Sequence, residues 1–287
     1  ALSGGGISDP VIQAFWSGIF TTAREHYANP RILDVGTGSG AVVEEIYRVF
    51  GADLPPLICL DISGGAVRAA TKRWPSVLGV IADARAIPLA SGSINVAISQ
   101  FGVEYAGLAA IREMLRILVR GGRLALLIHH RSGGIYKECT ASLNTAQRIR
   151  EAGFFPLALR MFESGFAACR GGNRRTYETA VQRFQPALGT LKAIMTEHGR
   201  HVAGDTVLRL YRDINIIHQR IQHYDPSEVR AWLRRMDDEL QLYAVRMKSM
   251  CDSAVDEQSF GRLCDDIRGL GNVVDCAGAL RIPNHPL

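Results

Sequence analysis

The run Leu33-Asp34-Val35-Gly36-Thr37-Gly38-Ser39-Gly40 constrains this chain more than any other stretch. An apolar segment leads into glycines at alternate positions, and a helical pattern, Ala41–Phe50, follows them. Glycine tolerates the positive φ that a tight turn demands and lets a ligand approach the backbone. The helix after the turn presents unpaired N–H groups at its first turn. A strand, a glycine turn and a helix in this order form the opening unit of a doubly wound α/β domain.

The following residues keep to that plan. Arg31–Val35, Leu57–Leu60, Leu78–Ile81, Ile94–Ser99 and Arg123–His129 are short, nearly continuous apolar runs, as a sheet covered on both faces requires. Helical patterns separate them at Ala41–Phe50, Gly64–Trp74 and Ala109–Leu118. Alternation of this kind predicts right-handed crossovers and a mostly parallel sheet. From about 132 to 258 strands give way to long amphipathic stretches, Tyr177–His198, Thr206–His223 and Ser227–Cys251. Asp225-Pro226-Ser227-Glu228 marks a helix start, and Gly171-Gly172-Asn173 and His198-Gly199 mark breaks. Ser259–Leu270 then predicts one more helix and Asn272–Ile282 a strand. A returning strand makes the helical block an insertion rather than a tail. The expected fold is therefore α/β, a doubly wound, mostly parallel sheet with an inserted all-helical subdomain. Residues 1–30 form an N-terminal helical segment, 31–131 and 259–287 the core, and 132–258 the insertion.

The loop alone admits two ligands, because Gly36, Gly38 and Ala41 also satisfy the relaxed dinucleotide pattern G-x-G-x-x-G/A. Asp34 separates them. A carboxylate two residues before the first glycine repels a pyrophosphate and attracts a cation. The order D-x-G-x-G-x-G resembles the first motif of class I S-adenosylmethionine-dependent methyltransferases, whose cofactor carries an ammonium and a sulfonium and no phosphate. Further segments fall in the family's order. Leu57–Ser63 holds a strand ending in Asp61, and Ile81-Ala82-Asp83-Ala84 ends the third strand in another acid. Ile87–Val96 resembles the family's LPFxDxSFDxV stretch, with Ala90 for the aromatic and Asn95 for the last Asp. Ile98-Ser99-Gln100-Phe101-Gly102 ends the fourth strand, and Leu118–Leu124 resembles LxPGGxL with Arg120 for Pro.

The resemblance covers about 31–130 and again about 259–282. It implies a Rossmann-like sheet of order 3-2-1-4-5-7-6, with strand six at Asn272–Ile282 and strand seven beyond Leu287 or supplied by another segment. It implies S-adenosyl-L-methionine as cofactor, contacted by Asp34, Gly36, Thr37, Gly38 and Gly40. Asp61 and Ile62 would meet the ribose side, Asp83 and Ala84 the adenine, and Ser99 and Gln100 the methyl-transfer region. Trp16, in an N-terminal helix with Phe15 and Tyr27, would fold over the cofactor. Each residue also has a structural alternative: Asp34 as a loop cap, Asp61 as an exposed strand-end acid, Asp83 as a turn residue, Trp16 as core.

Composition narrows the partners. Hydrophobic residues make up 47% and charged residues 21%, a globular balance that excludes disorder. The net charge of +5 comes without any run of five like charges, which argues against nucleic acid. Cys59, Cys139, Cys169, Cys251, Cys264 and Cys276 are scattered with no C-x-x-C pair, so neither a metal site nor a disulfide framework is expected, and a reducing cytoplasm fits. No membrane span and no signal peptide are expected.

His129 and His130 follow the fifth strand, at the edge where open α/β sheets bind ligands, and either could serve as general base. The competing reading is a hydrogen-bonded structural histidine. Glu104 and Tyr105 could enter the pocket or lie on the surface. His198, His201, His218 and His223 fall in the helical block, and the five-residue step between the last two gives no i, i+4 metal pair. The expected activity is in-line methyl transfer to a small, apolar molecule, with the insertion capping the pocket or forming a homodimer. The family's N-P-P-Y-type signature for base amines is absent, Ser99-Gln100-Phe101-Gly102 standing there instead. Rival readings are an RNA or protein methyltransferase, a non-catalytic cofactor-binding scaffold and, more distantly, an NAD-dependent enzyme.

Overall fold

The computed structural model describes residues 7, 9–199, 202–203, 205–275 and 277–280. His201, Cys276, Ile282 and the Pro286-Leu287 end, all considered above, lie outside them. The described residues divide into two compact units, one within Ala1–Gly133 and Ser253–Leu287, the other within Gly134–Asp252. The sequence pattern placed those boundaries at 131/132 and 258/259.

The first unit holds five strands, β1 (Ile32–Val35), β2 (Leu57–Asp61), β3 (Leu78–Ile81), β4 (Ile94–Gln100) and β5 (Leu118–Leu127), all parallel in the order β3-β2-β1-β4-β5. Helices α1 (Pro10–His26), α2 (Ala41–Phe50), α3 (Gly64–Arg73) and α4 (Gly107–Ile117) accompany them. Successive strand residues bury on opposite faces. Ile32, Cys59, Val96 and Ile98 pack with α1 and α2, whereas Leu33, Val35, Leu60 and Ala97 pack with α4. Helix α1 starts where Asp9 Oδ1 accepts from Val11 N (2.8 Å) and Ile12 N (3.2 Å), with Pro10 in the first turn. Its Ile12, Trp16, Phe20 and Ala23 recur on one face and are buried.

Three expectations need correction. β5 begins at Leu118 rather than Arg123, because Gly121 and Gly122 sit in a β-irregularity between the Ile94–Leu118 and Val96–Arg123 pairs that keeps the ladder going. β5 also stops at Leu127, so both histidines lie past the strand. β3 is not a buried strand: Leu78 and Ile81 are 61% and 59% exposed, because β3 is the sheet edge. The described residues of Asn272–Ile282 form no strand, and among the described residues the sheet stops at β5.

Past β5 the chain leaves and returns side by side. Val255 N donates to His129 O (2.9 Å) and Arg131 N to Val255 O (2.8 Å). Between these points come α5 (Gly134–Glu151), α6 (Phe154–Cys169), α7 (Arg174–His198), α8 (Thr206–Gln219) and α9 (Pro226–Ser253), and after them α10 (Glu257–Gly269). Leu263 and Ile267 of α10 pack on the α4 side of the sheet. The helical unit has its own core, with Phe154, Phe162, Phe184, Leu191, Leu210 and Leu240 nearly inaccessible. Each such side chain contributes about 1.5–3 kcal/mol on burial. The start of α9 is capped as its sequence predicts: Asp225 Oδ1 accepts from Ser227 N (2.7 Å) and Glu228 N (3.3 Å). No helix among the described residues is long and apolar enough to cross a membrane.

Candidate functional site

The carboxyl ends of β1, β2 and β4 meet at the glycine loop. Gly36, Gly38 and Gly40 all have positive φ (70°, 54° and 79°), which explains the glycine at each. Gly36 N donates to Leu60 O (2.8 Å), fixing the loop to the end of β2. A Cβ on Gly36 would come within 3.1 Å of Gly102 Cα, so the loop after β4 presses directly against the glycine turn. Gly38 has nothing within 4 Å of such a Cβ and faces open space.

Two acids hold this loop from different sides. Asp34 is 1% exposed, and its Oδ2 accepts from Thr37 Oγ1 (2.7 Å). Burial pushes its carboxyl up to about 7, against the lowering effect of the Thr37 bond and with a further push from the Asp61 charge. The same burial, together with the Asp34 charge, drives the Cys59 thiol up to about 12. Asp61 is partly exposed at the end of β2. Its Oδ2 accepts from Gly38 N (2.9 Å) and its Oδ1 from Ser63 N (2.8 Å). Beside it Ile62 is 70% exposed, an apolar surface at a polar loop.

The other predicted residues separate into distinct roles. Asp83 is gripped by Arg85, whose Nη2 and Nε donate to its two oxygens at 2.6 and 3.0 Å, and this pairing holds the carboxyl down at about 2. Ala84, next to it, packs on the α4 side of the sheet. Ser99 is fully buried, donating to Val35 O (2.7 Å) and accepting from Val103 N (3.0 Å). It ties β1 to the turn after β4 and offers no surface to a ligand. Trp16 is likewise wholly inside, its indole N–H donating to Gln100 Oε1, so it backs the end of β4 from within the core.

The histidines diverge. His130 Nδ1 accepts from Ser132 N (3.2 Å) and lies 2.8 Å from Ser132 Oγ, and its Nε2 lies 3.6 Å from Glu257. It belongs to the returning chain. His129 Nδ1 lies 2.6 Å from Glu104 Oε1, and its ring stacks on Phe101 at 4.4 Å and 25°. Glu104 is buried rather than on the surface, with 2% of its side chain exposed. Sequence reasoning left Glu104 undecided and passed over Arg85. The D-x-R spacing of Asp83 and Arg85 could have signalled the second, but nothing local signalled the first.

These residues fit S-adenosylmethionine better than a dinucleotide. The amide a pyrophosphate would use, Gly38 N, is already taken by the Asp61 carboxylate, and a second carboxyl lies just behind it. Two acids at an open glycine turn suit a cation and a pair of ribose hydroxyls.

Comparison with known proteins agrees. Residues 33–126 match the family model described as a methyltransferase domain. A demethylmenaquinone methyltransferase of Renibacterium salmoninarum is 30% identical over 39% of this chain and 46% of its own length. The ubiquinone/menaquinone biosynthesis C-methyltransferase UbiE of Sinorhizobium fredii is 35% identical over 36% of this chain and 42% of its own length. Among solved structures, the YcgJ protein of Bacillus subtilis is 22% identical, with a TM-score of 0.36, over 41% of this chain and 51% of its own. The chain spans less than half the length of the first two relatives. Residues 33–126 are thus a methyltransferase domain of the class I, Rossmann-like, S-adenosylmethionine-dependent family.

Proposed function

We propose that this protein transfers a methyl group from S-adenosylmethionine to a small, apolar molecule. The observation that carries the reading is Asp61: a partly exposed carboxylate bonded to the amide of an open glycine, flanked by the exposed Ile62. Gly36, Thr37, Gly38 and Gly40 would hold the amino-acid portion, Asp61 the ribose hydroxyls, and Ile62 one face of the adenine. Asp83 and Ala84 stand at the adenine end, with Arg85 setting the direction of the Asp83 carboxylate. Asp34 acts from beneath, as negative potential under the loop. Ser99, Gln100 and Trp16 support the floor of the site.

When bound, the cofactor supplies an electrophilic methyl on a sulfonium whose departure leaves a neutral thioether. The protein's own work is alignment of the nucleophile and exclusion of water. The relatives' names, which carry demethylmenaquinone and ubiquinone/menaquinone, support an apolar acceptor. The helical unit, inserted past β5, is proposed as the element that selects the acceptor. The free cysteines at 59, 139, 169, 251 and 264 support a reducing compartment, the cytoplasm.

Calorimetric titration with S-adenosylmethionine, its demethylated product and NAD tests the reading. Wild type should bind the first two at micromolar Kd and NAD not at all. Asp61→Ala should weaken binding by about tenfold to a hundredfold, the worth of hydrogen bonds to a charged group. Preference for NAD, or no binding by wild type, would overturn it.

A further inference from the structure

The clearest unspent chemistry lies one step from the glycine loop. Phe101 sits just past β4 at a φ of 54°, and its N–H donates to Leu127 O, the last residue of β5 (2.7 Å). The ends of β4 and β5 are thereby joined, and Glu104 comes under His129. Glu104 Oε1 accepts from His129 N (3.3 Å) and meets His129 Nδ1 at 2.6 Å. Glu104 Oε2 is buried with no partner, and His129 is the cation-forming group the carboxylate contacts among the described residues. Among the described residues His129 Nε2 makes no hydrogen bond, and it is not one of the buried polar atoms left unpartnered, on a side chain that keeps 10% exposure.

A carboxylate with 2% of its side chain exposed is costly unless a donor meets it. The Nδ1–H tautomer of His129 would be that donor, and it would leave the lone pair on Nε2. Phe101 fixes the ring plane by stacking on it. His130 differs on each count: its Nδ1 accepts from Ser132 N, and its Nε2 is buried. The turn carrying Phe101 and Glu104 also includes Gly102, which packs on Gly36 of the glycine loop.

We infer that His129 is the proton acceptor of the reaction and Glu104 its positioning residue, and that the methyl acceptor is a hydroxyl compound that must lose its proton to react. The inference rests on the cofactor reading above. His129 Nε2 takes the proton as the acceptor's O–H bond breaks. The electron pair left on that oxygen forms the bond to the donor's methyl carbon, while the sulfur–carbon pair stays on sulfur. The imidazolium that results is balanced by Glu104 and later loses its proton to water. An acceptor whose nucleophile is already deprotonated would have no use for this pair.

Three measurements test it. In ¹⁵N-resolved histidine spectra at high pH, His129 should show a protonated Nδ1 and a bare Nε2. Glu104→Gln should keep that pattern, and Glu104→Leu should lose it. Carbethoxylation of His129 by diethyl pyrocarbonate should be slowed by the demethylated cofactor, while that of the exposed His26 is unchanged. With 1,4-dihydroxynaphthalene as probe acceptor, His129→Ala should lower kcat by about a hundredfold or more at near-constant KM, the range of general-base catalysis. An Nε2–H tautomer in wild type would overturn the inference. So would undiminished modification of His129 in protein that calorimetry shows to be saturated. If calorimetry instead records no cofactor binding, the cofactor reading fails, and the tautomer decides the pair by itself.

Discussion

Replacing Asp34 by Asn should make the α/β unit more stable in a strongly pH-dependent way. In the folded chain burial holds this carboxyl up at about 7, whereas the unfolded chain returns it to 3.8. The native state therefore binds one more proton than the unfolded state between those two pH values. Stability from this group is fully present below 3.8 and is lost as pH rises through 7. At 1.36 kcal/mol per pH unit the loss totals about 4 kcal/mol, of which about 3 falls between pH 5 and pH 8. Asn presents the same oxygen to Thr37 Oγ1 without ever ionising. The gain over wild type should thus be small at pH 4, about 1–2 kcal/mol at pH 5 and about 4 kcal/mol at pH 8.

Urea unfolding followed by tryptophan fluorescence measures this. Trp16 and Trp74 lie in the α/β unit and Trp232 in the helical unit, so a Trp232→Phe background restricts the signal to the first unit. A gain of equal size at pH 5 and pH 8 would refute the reasoning, because it would mean the carboxyl ionises at its ordinary pH. The same variant should bind S-adenosylmethionine less well above pH 7, since it removes the negative potential under the loop. Stability gained where binding is lost is the pattern of a charge kept for its ligand.

Ser99→Ala should cost about 2 kcal/mol, because it strands Val35 O and Val103 N inside the protein, and urea denaturation of the same background reads it. A variant as stable as wild type would show that water or a backbone shift replaces the hydroxyl. Gly36→Ala should lower stability by about 1–2 kcal/mol from its φ of 70° alone, with a further loss from the approach to Gly102 Cα. Calorimetry should show cofactor binding weakened with it, and unchanged binding would separate the turn from the site.

The sequence made the elements legible wherever local chemistry decides them. Ala41–Phe50 and the bounds of Leu78–Ile81 run as their patterns predict, because a glycine turn and an apolar run of strand length each specify an element, though not its burial. Its failures were non-local. Gly121 and Gly122 look like a turn, and only the neighbouring β4 makes them an irregularity within β5. The site divides in the same way. The motif singled out Asp34, Asp61 and Asp83 as acids, but a carboxylate's chemistry depends on what meets it. Thr37 and Arg85 stand three and two residues from their acids, so those pairings were open to sequence reasoning.

Glu104 and His129 are 25 residues apart, and nothing in either's neighbours joins them. Their meeting follows from one register, Gln100 opposite Leu127 in the β4–β5 ladder. From that pair four residues lead to Glu104 and two to His129. A slip of one residue would turn the β5 side chains to the other face and carry the imidazole away from the carboxylate. The proposed proton acceptor is thus a property of strand register. That register is itself set by the irregularity at Gly121 and Gly122, where the ladder jumps from Ile94–Leu118 to Val96–Arg123. Arg120, which stands where the resembling motif has Pro, lies in the segment that fixes where His129 falls.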